Sequence, residues 1–294
     1  MKKLPEHRKG FLAVLVAALL WSTGGLFIKL VTLDAMQISF FRCIWAAVVF
    51  AVIFRKQVFY ANLFTFINAV FYASVLILFV ISNKLTTAAN AIFLQYTAPI
   101  YVLIFEPILN KTKYEKINII TIIICFFGML LFFMGKISPG DMLGNITALL
   151  SGIAFAAFML GMRKNKKEYQ FSAIFYGNTL VFLFCIPYMF GMKNFSLNNF
   201  LMVSYLGIFQ IGVAYIIFSY GLKRILAIEA SLLSMIEPVL NPVWVFLGYG
   251  EIPSFMAIIG GLIIITAIMT RTFVLESPVM KGRFKKYLER DLND

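Results

Sequence analysis

Ten stretches of about 20 mostly apolar residues follow one another along this chain, joined only by short polar loops. They run approximately over 10–30, 38–54, 62–83, 88–109, 117–135, 142–162, 171–190, 199–221, 228–249 and 254–272. A helix of about 20 residues rises about 30 Å, the thickness of a bilayer's hydrocarbon core. Backbone groups in lipid must be hydrogen-bonded within the protein, which a helix does and an open strand cannot. A soluble chain of 294 residues with 61% hydrophobic and 13% charged side chains would lack the polar surface to cover its core. The sequence therefore predicts an all-α membrane protein with ten transmembrane helices.

The charges fix an orientation. The net charge is +13, but the basic residues fall in clusters between apolar runs, which is the pattern of membrane topology rather than of a nucleic-acid surface. With the N-terminus in the cytoplasm, 21 of the 26 Lys and Arg lie in cytoplasmic segments and four (Lys29, Lys84, Lys136 and Lys193) on the other side. Arg42 is inside the second run. Such an imbalance puts both termini in the cytoplasm, and the expected address is the plasma (cell inner) membrane. The first run continues to about Leu30, too long for the apolar part of a signal peptide, and reads as a retained helix. Cys43, Cys125 and Cys185 all lie in apolar runs, as buried small side chains do. The single histidine, His7, precedes the first run, so neither a histidine metal site nor a catalytic triad is expected, and no cofactor.

The two halves repeat. Residues from Gly10 align with those from Gly144, and ANAIFLQYTAPIYVLIF from Ala89 aligns with IEASLLSMIEPVLNPVW from Ile228, pairing Pro99 with Pro238. Five spans per half is an odd number, so the halves must cross the membrane in opposite senses. That predicts two inverted five-helix repeats around a central cavity: residues 1–137 with a cytoplasmic tail, and 138–272. Residues 273–294 form a basic cytoplasmic tail whose Phe284, Tyr287 and Leu288 would lie on an anionic leaflet if it is helical; a disordered tail fits as well.

LLWSTGGLFIK (Leu19–Lys29), SFFR (Ser39–Arg42), IEP (Ile236–Pro238) and GYGE (Gly248–Glu251), in that order over ten spans, resemble the EamA-type members of the drug/metabolite transporter superfamily. The resemblance covers about residues 10–272. It implies a ten-helix inverted-repeat bundle working by alternating access, exporting amino acids or other small metabolites. The chain departs from the pattern at Ser22, where glycine often follows the tryptophan, and at Asn110–Lys111, where the first half lacks the Gly-Glu ending.

Glu237, at the middle of the ninth run, is the residue that most needs a reason. A charged side chain at the centre of a transmembrane helix costs about 2.5–3.5 kcal/mol on insertion scales, so it must face protein or water. Ser234, Glu237 and Asn241 fall on one face at helical spacing. Pro238 and Pro242 free backbone carbonyls beside it, and Pro99 does the same in the fourth run, so a kinked helix is expected in each half. Glu237 is expected to bind a substrate amine or to take up a proton during transport; packing glue between helices is the competing account. Arg42 could hold a substrate carboxylate, although snorkelling or pairing with Asp34 accounts for it more simply. Lys29 and Glu106, near helix ends, are expected to snorkel. Trp21, Tyr72, Tyr96, Phe155, Tyr205 and Tyr215 are aromatic candidates for the cavity wall, and Ser22, Asn90, Gln95 and Gln210 polar ones.

No helix-borne metal ligands, phosphate loop or acid pair supports an intramembrane enzyme. A secondary transporter explains the repeat, the paired kinks and the midplane carboxyl; a channel, a scramblase or an uptake carrier of the same fold is the alternative. The implied partners are a small-molecule substrate, the lipid bilayer and a coupling proton or exchange partner. A homodimer is compatible with the sequence.

Overall fold

The computed structural model describes residues 3–86, 88–110, 115–132, 134, 142–166, 169–192, 195–250, 252 and 254–276, without the side chains of residues 3–5, 29, 83–84, 88–90, 110, 132, 242, 249 and 275–276. In chain order the helices are α1 (Lys3–Ser22), α2 (Gly24–Leu30), α3 (Ala35–Phe54), α4 (Leu63–Leu85), α5 (Ala88–Gln95), α6 (Ala98–Asn110) and α7 (Lys116–Phe132). Then come α8 (Met142–Lys164), α9 (Gln170–Cys185), α10 (Leu197–Tyr205), α11 (Ala214–Leu222), α12 (Ala227–Ser234), α13 (Ile236–Tyr249) and α14 (Phe255–Glu276). The chain is all-helical, with no strand among the described residues.

Among the described residues, nine helical segments are long and apolar enough to cross a membrane. The fifth expected run is apolar but shorter, Lys116–Leu131. The outer surface is apolar like the interior: Leu12, Val52, Ile123, Leu247 and Leu262 are all more than half exposed. Helices apolar on every side suit lipid rather than water.

Helix starts are set by residues the sequence supplies. Asp34 accepts from the backbone N–H groups of Met36 and Gln37, and Gln37 reaches back to the Asp34 N–H, a capping box at α3. Asn62 caps α4 through the Thr65 N–H, and Ser196 caps α10 through the Asn199 N–H. Gly250, with φ of 78°, ends α13 in the left-handed region that glycine enters without a Cβ clash.

Three spans are broken and a fourth is locally underwound. The first run divides at Thr23 into α1 and α2, where Ser22 and Thr23 turn their hydroxyls back onto the carbonyls of Leu19 and Leu20, both at 2.7 Å. Such back-bonding weakens a helix, and Gly24 and Gly25 do not favour its continuation. The fourth run divides into α5 and α6 at Tyr96–Thr97, and the ninth into α12 and α13 at Met235. Where simple kinks are expected, the helices stop and restart. Pro99 and Pro238 lie in the first turns of the restarted helices, where the N–H that proline lacks has no intrahelical partner anyway. The eighth run carries a π-helical stretch over Leu206–Val213, between α10 and α11.

The packing is paired. α4 lies on α8 as α11 lies on α1; α4 lies on α9 as the π-helical stretch lies on α3; α5 lies on α8 as α12 and α13 lie on α1. α3 packs on α9, and α7 on α14. Two boundaries differ from expectation: α1 begins at Lys3, so the described start of the chain is helix, and α14 runs through Glu276, beyond the expected end at 272. The proposed tail segment with Phe284, Tyr287 and Leu288 lies outside the described residues.

Candidate functional site

The breaks converge on one cavity of about 320 Å³, walled by α1 and α2, α3, α4, α5, the middle of α8, the π-helical stretch, α11 and α13. Glu237 is in the first turn of α13, at the N-terminal end that a helix dipole makes favourable for a carboxylate. The Tyr96 hydroxyl, from the turn between α5 and α6, donates to Glu237 Oε2 at 2.6 Å. The broken fourth span thus holds the carboxylate of the broken ninth one.

Arg42 and Glu237 line the same cavity, and no ion pair joins them among the described residues. Arg42 Nε is buried without a hydrogen-bond partner among the described residues. Asp34, the alternative partner for Arg42, is committed to the α3 cap. One wall is aromatic: the Trp21 ring lies 4.9 Å from both Tyr215 and Phe218 and 6.5 Å from Phe155. Trp21 Nε1 and Gln210 Oε1 are also buried without partners among the described residues, leaving a donor and an acceptor beside that wall. A cavity with an unpaired cation, a carboxylate, aromatic faces and unspent amide and indole groups can hold a small organic molecule with charges at both ends.

Of the expected residues, Trp21, Arg42, Gln95, Tyr96 and Phe155 line the cavity, as do Gln210, Tyr215, Glu237 and Asn241. Gln95 is anchored by donating to Ser151 Oγ at 2.8 Å. Four expected residues are held elsewhere. Ser234 is fully buried and donates to the Ala230 carbonyl of its own helix, so the stripe with Glu237 and Asn241 is interrupted by the break at Met235. Ser22 accepts from Trp244 Nε1 at 2.8 Å, a strut between α1 and α13. Tyr72 accepts from Asn178 and supports the Tyr215 ring from behind. Tyr205 stacks on Phe27 and meets the Thr23 hydroxyl. The Asn90 side chain, like that of Lys29, lies outside the described ones.

Small residues let helices meet at the cavity rim. A Cβ on Gly25 would lie 2.0 Å from Asn241 Oδ1, so the Asn241 side chain of α13 occupies the space that a side chain on α2 would need.

At the end of the bundle that carries the basic loops, a buried polar network joins many of the helices. Glu106 is 3% exposed and accepts from the Ala227 and Ile228 N–H groups at 2.7 and 2.8 Å, capping α12, with Arg163 Nε 3.5 Å away. It is a cap between α6 and α12 rather than a snorkelling end, because the first N–H groups of α12 are buried and need an acceptor. Arg163 also donates to the Ile225 carbonyl, and Lys223 to those of Arg163 and Asn165. Glu229, 2% exposed, lies 3.0 Å from His7 Nε2 and 3.7 Å from Arg271, whose Nε donates to Asn118 Oδ1 at 2.8 Å. Glu229, Arg271 and Asn118 escaped the sequence reading. Glu229 lies one residue into an apolar run and Arg271 one residue from the end of another, positions that pass for interfacial ends.

The fold and cavity define a multi-pass membrane protein of transporter type. The EamA-like transporter family model matches residues 8–134 and again 142–272, and the chain belongs to that family, within the drug/metabolite transporter superfamily. An uncharacterized transporter of Archaeoglobus fulgidus is 24% identical over 266 residues, covering 89% of this chain and 96% of its own. Human solute carrier family 35 member G1 is 22% identical over 290 residues, covering 90% of this chain and 79% of its own. A solved crystal structure matches the fold with a TM-score of 0.81 at 17% identity, over 92% of this chain and 99% of that one. Family and relatives indicate a transporter and not an enzyme.

Proposed function

We propose that this protein is a secondary transporter that moves a small amphipathic metabolite, of the size and charge pattern of an amino acid, by alternating access across the plasma membrane. The observation that carries the reading is that Glu237 and Arg42 line one aromatic-walled cavity at the helix breaks with no ion pair between them among the described residues. A substrate ammonium would meet Glu237 and the aromatic faces, and a substrate carboxylate would meet Arg42. The volume of about 320 Å³ is at the small end for ligand pockets, which favours a metabolite over a larger solute.

The architecture proposed is ten transmembrane helices in two inverted five-helix repeats, 1–137 and 138–272, with 273–294 as a cytoplasmic tail. The paired packing supports it: the main contacts that join a span of one half to a span of the other recur with the halves exchanged. The two matches of one family model, one per half, support it as well. The breaks at Tyr96–Thr97 and at Met235 fall at corresponding positions of the aligned halves.

The cavity wall extends from Glu237 along α13 to Val245, about 12 Å at helical rise, and includes Ile28 and Phe79 at the end away from the basic loops. With both termini cytoplasmic, this is the outward-facing arrangement, closed on the cytoplasmic side by the Glu106–Arg163 and Glu229–Arg271 networks. Export is the expected direction, and Glu237 is the group through which proton or exchange coupling would act. Transport of an amino-acid panel in proteoliposomes, with wild type and Glu237→Gln, tests the proposal. Saturable uptake that Glu237→Gln abolishes or strips of its pH dependence supports it; a wild-type rate with unchanged pH dependence removes it.

A further inference from the structure

A second cavity lies on the outside of the bundle. It is a groove of about 340 Å³ between α4, α6 and α8, and no residue of the central cavity lines it. Its rim residues Ile67, Phe105, Leu109 and Ile153 are each more than 40% exposed, so the groove faces sideways, toward lipid. All three helices contribute the halves nearest the basic loops, and Lys164, the last residue of α8, stands at that end.

One side chain in the groove does not belong to a merely greasy surface. Asn68 is 1% exposed, and neither its Nδ2 nor its Oδ1 has a hydrogen-bond partner among the described residues. A buried amide left unpaired is destabilising, a cost that an apolar residue of similar size would avoid. Gly161 of α8 lies directly against it, since a Cβ on Gly161 would be 2.3 Å from Asn68 Oδ1. Lys164 is exposed and forms no ion pair among the described residues.

We propose that this groove is a binding site for an anionic phospholipid of the cytoplasmic leaflet. The order of groups along the groove matches that of such a lipid read inward: Lys164 for the phosphate, the Asn68 amide for the ester carbonyls, and the apolar wall for an acyl chain. Basic pockets between transmembrane helices on the cytoplasmic side are where acidic headgroups bind. A second copy of the chain would cover the apolar rim but would leave Asn68 and Lys164 unanswered. The site is independent of the molecule carried in the central cavity.

The test uses the purified full chain in neutral phosphatidylcholine nanodiscs, with phosphatidylglycerol added in steps and lipid retention read by native mass spectrometry alongside thermal stability. Wild type is expected to retain phosphatidylglycerol over phosphatidylcholine and to be stabilised by it. Lys164→Gln is expected to weaken that apparent affinity about five-fold, the factor corresponding to about 1 kcal/mol for one basic residue at the membrane surface. Asn68→Leu is expected to stay folded without added anionic lipid, since it removes an unpaired amide, and to lose most of the phosphatidylglycerol response. Equal responses to the two lipids, or a response that neither variant changes, would overturn the proposal. So would efficient disulfide cross-linking between copies through a cysteine placed at Leu109, which would assign the groove to a dimer.

Discussion

Replacing Glu229 by Gln strands the Arg271 guanidinium, which is 2% exposed and has Glu229 3.7 Å away as its carboxylate partner. The Asn118 amide oxygen, 2.8 Å from Arg271 Nε, is a neutral acceptor and cannot replace the lost charge. Breaking a buried pair by removing one partner costs about 3–5 kcal/mol, because the other charge remains out of water. Glu229→Gln is expected to cost that much, and Arg271→Gln less, because Glu229 keeps His7 Nε2 at 3.0 Å. The double variant, in which no charge is stranded, should recover on the order of 1–3 kcal/mol relative to the sum of the singles. The measurement is a double-mutant cycle by reversible denaturation in detergent, with transport assayed in parallel. If the network also closes the cytoplasmic side, the singles should raise substrate-independent leak or shift the carrier inward, and the double should do so less. Single costs below about 1 kcal/mol that simply add would refute the reasoning, since they would mean that Glu229 and Arg271 are hydrated rather than buried together.

Other outcomes follow from the cavity. Tyr96→Phe removes the 2.6 Å hydrogen bond to Glu237 and should cost about 1.5–3 kcal/mol of stability, with a substrate affinity change in direct binding assays; a cost near zero would mean that the bond is not formed. Arg42→Gln should lose transport of substrates bearing a carboxylate by ten-fold or more while sparing analogues with that group amidated, measured by competition; equal losses for both would assign Arg42 to structure. Gly25→Ala should fold within about 1 kcal/mol of wild type, because the atom it meets is the movable end of Asn241, yet weaken substrate binding by pushing that amide into the cavity. Unchanged affinity in a thermal-shift titration would contradict this.

Much of the scaffold was legible because membranes impose long apolar runs, and the runs found in the sequence recur as helical segments with shifts of a few residues. The breaks were half legible. Pro99 and Pro238 marked the fourth and ninth spans, but proline in a first turn is compatible with a full restart, and only the packing around Tyr96 and Met235 decides between kink and restart. Ser22–Thr23 gave less warning, since hydroxyls back-bond in continuous helices too. The Ser234–Glu237–Asn241 stripe failed in part for this reason: helical spacing cannot be carried across a break, and Ser234 belongs to the other helix. Glu237 stood out because a carboxylate at mid-span needs an explanation. Glu106, Glu229 and Arg271 did not, because charges near span ends have water within reach in any sequence reading, and their burial arises from the N-terminal helix and the ends of other spans closing over them. Asn68 lies near the start of its own span, where a polar residue raises no question until its amide is seen to be unpaired.

The most direct test of the cavity is chemical access to its wall. Asn241 faces it, and the three native cysteines are buried, so an Asn241→Cys variant gives a single reactive thiol on a quiet background. A membrane-impermeant thiol reagent added from the side away from the basic loops should modify Cys at this position, with the rate falling at least several-fold when a transported substrate is present. No reaction from that side, or a rate that substrate leaves unchanged, would contradict a water-filled substrate cavity at Glu237.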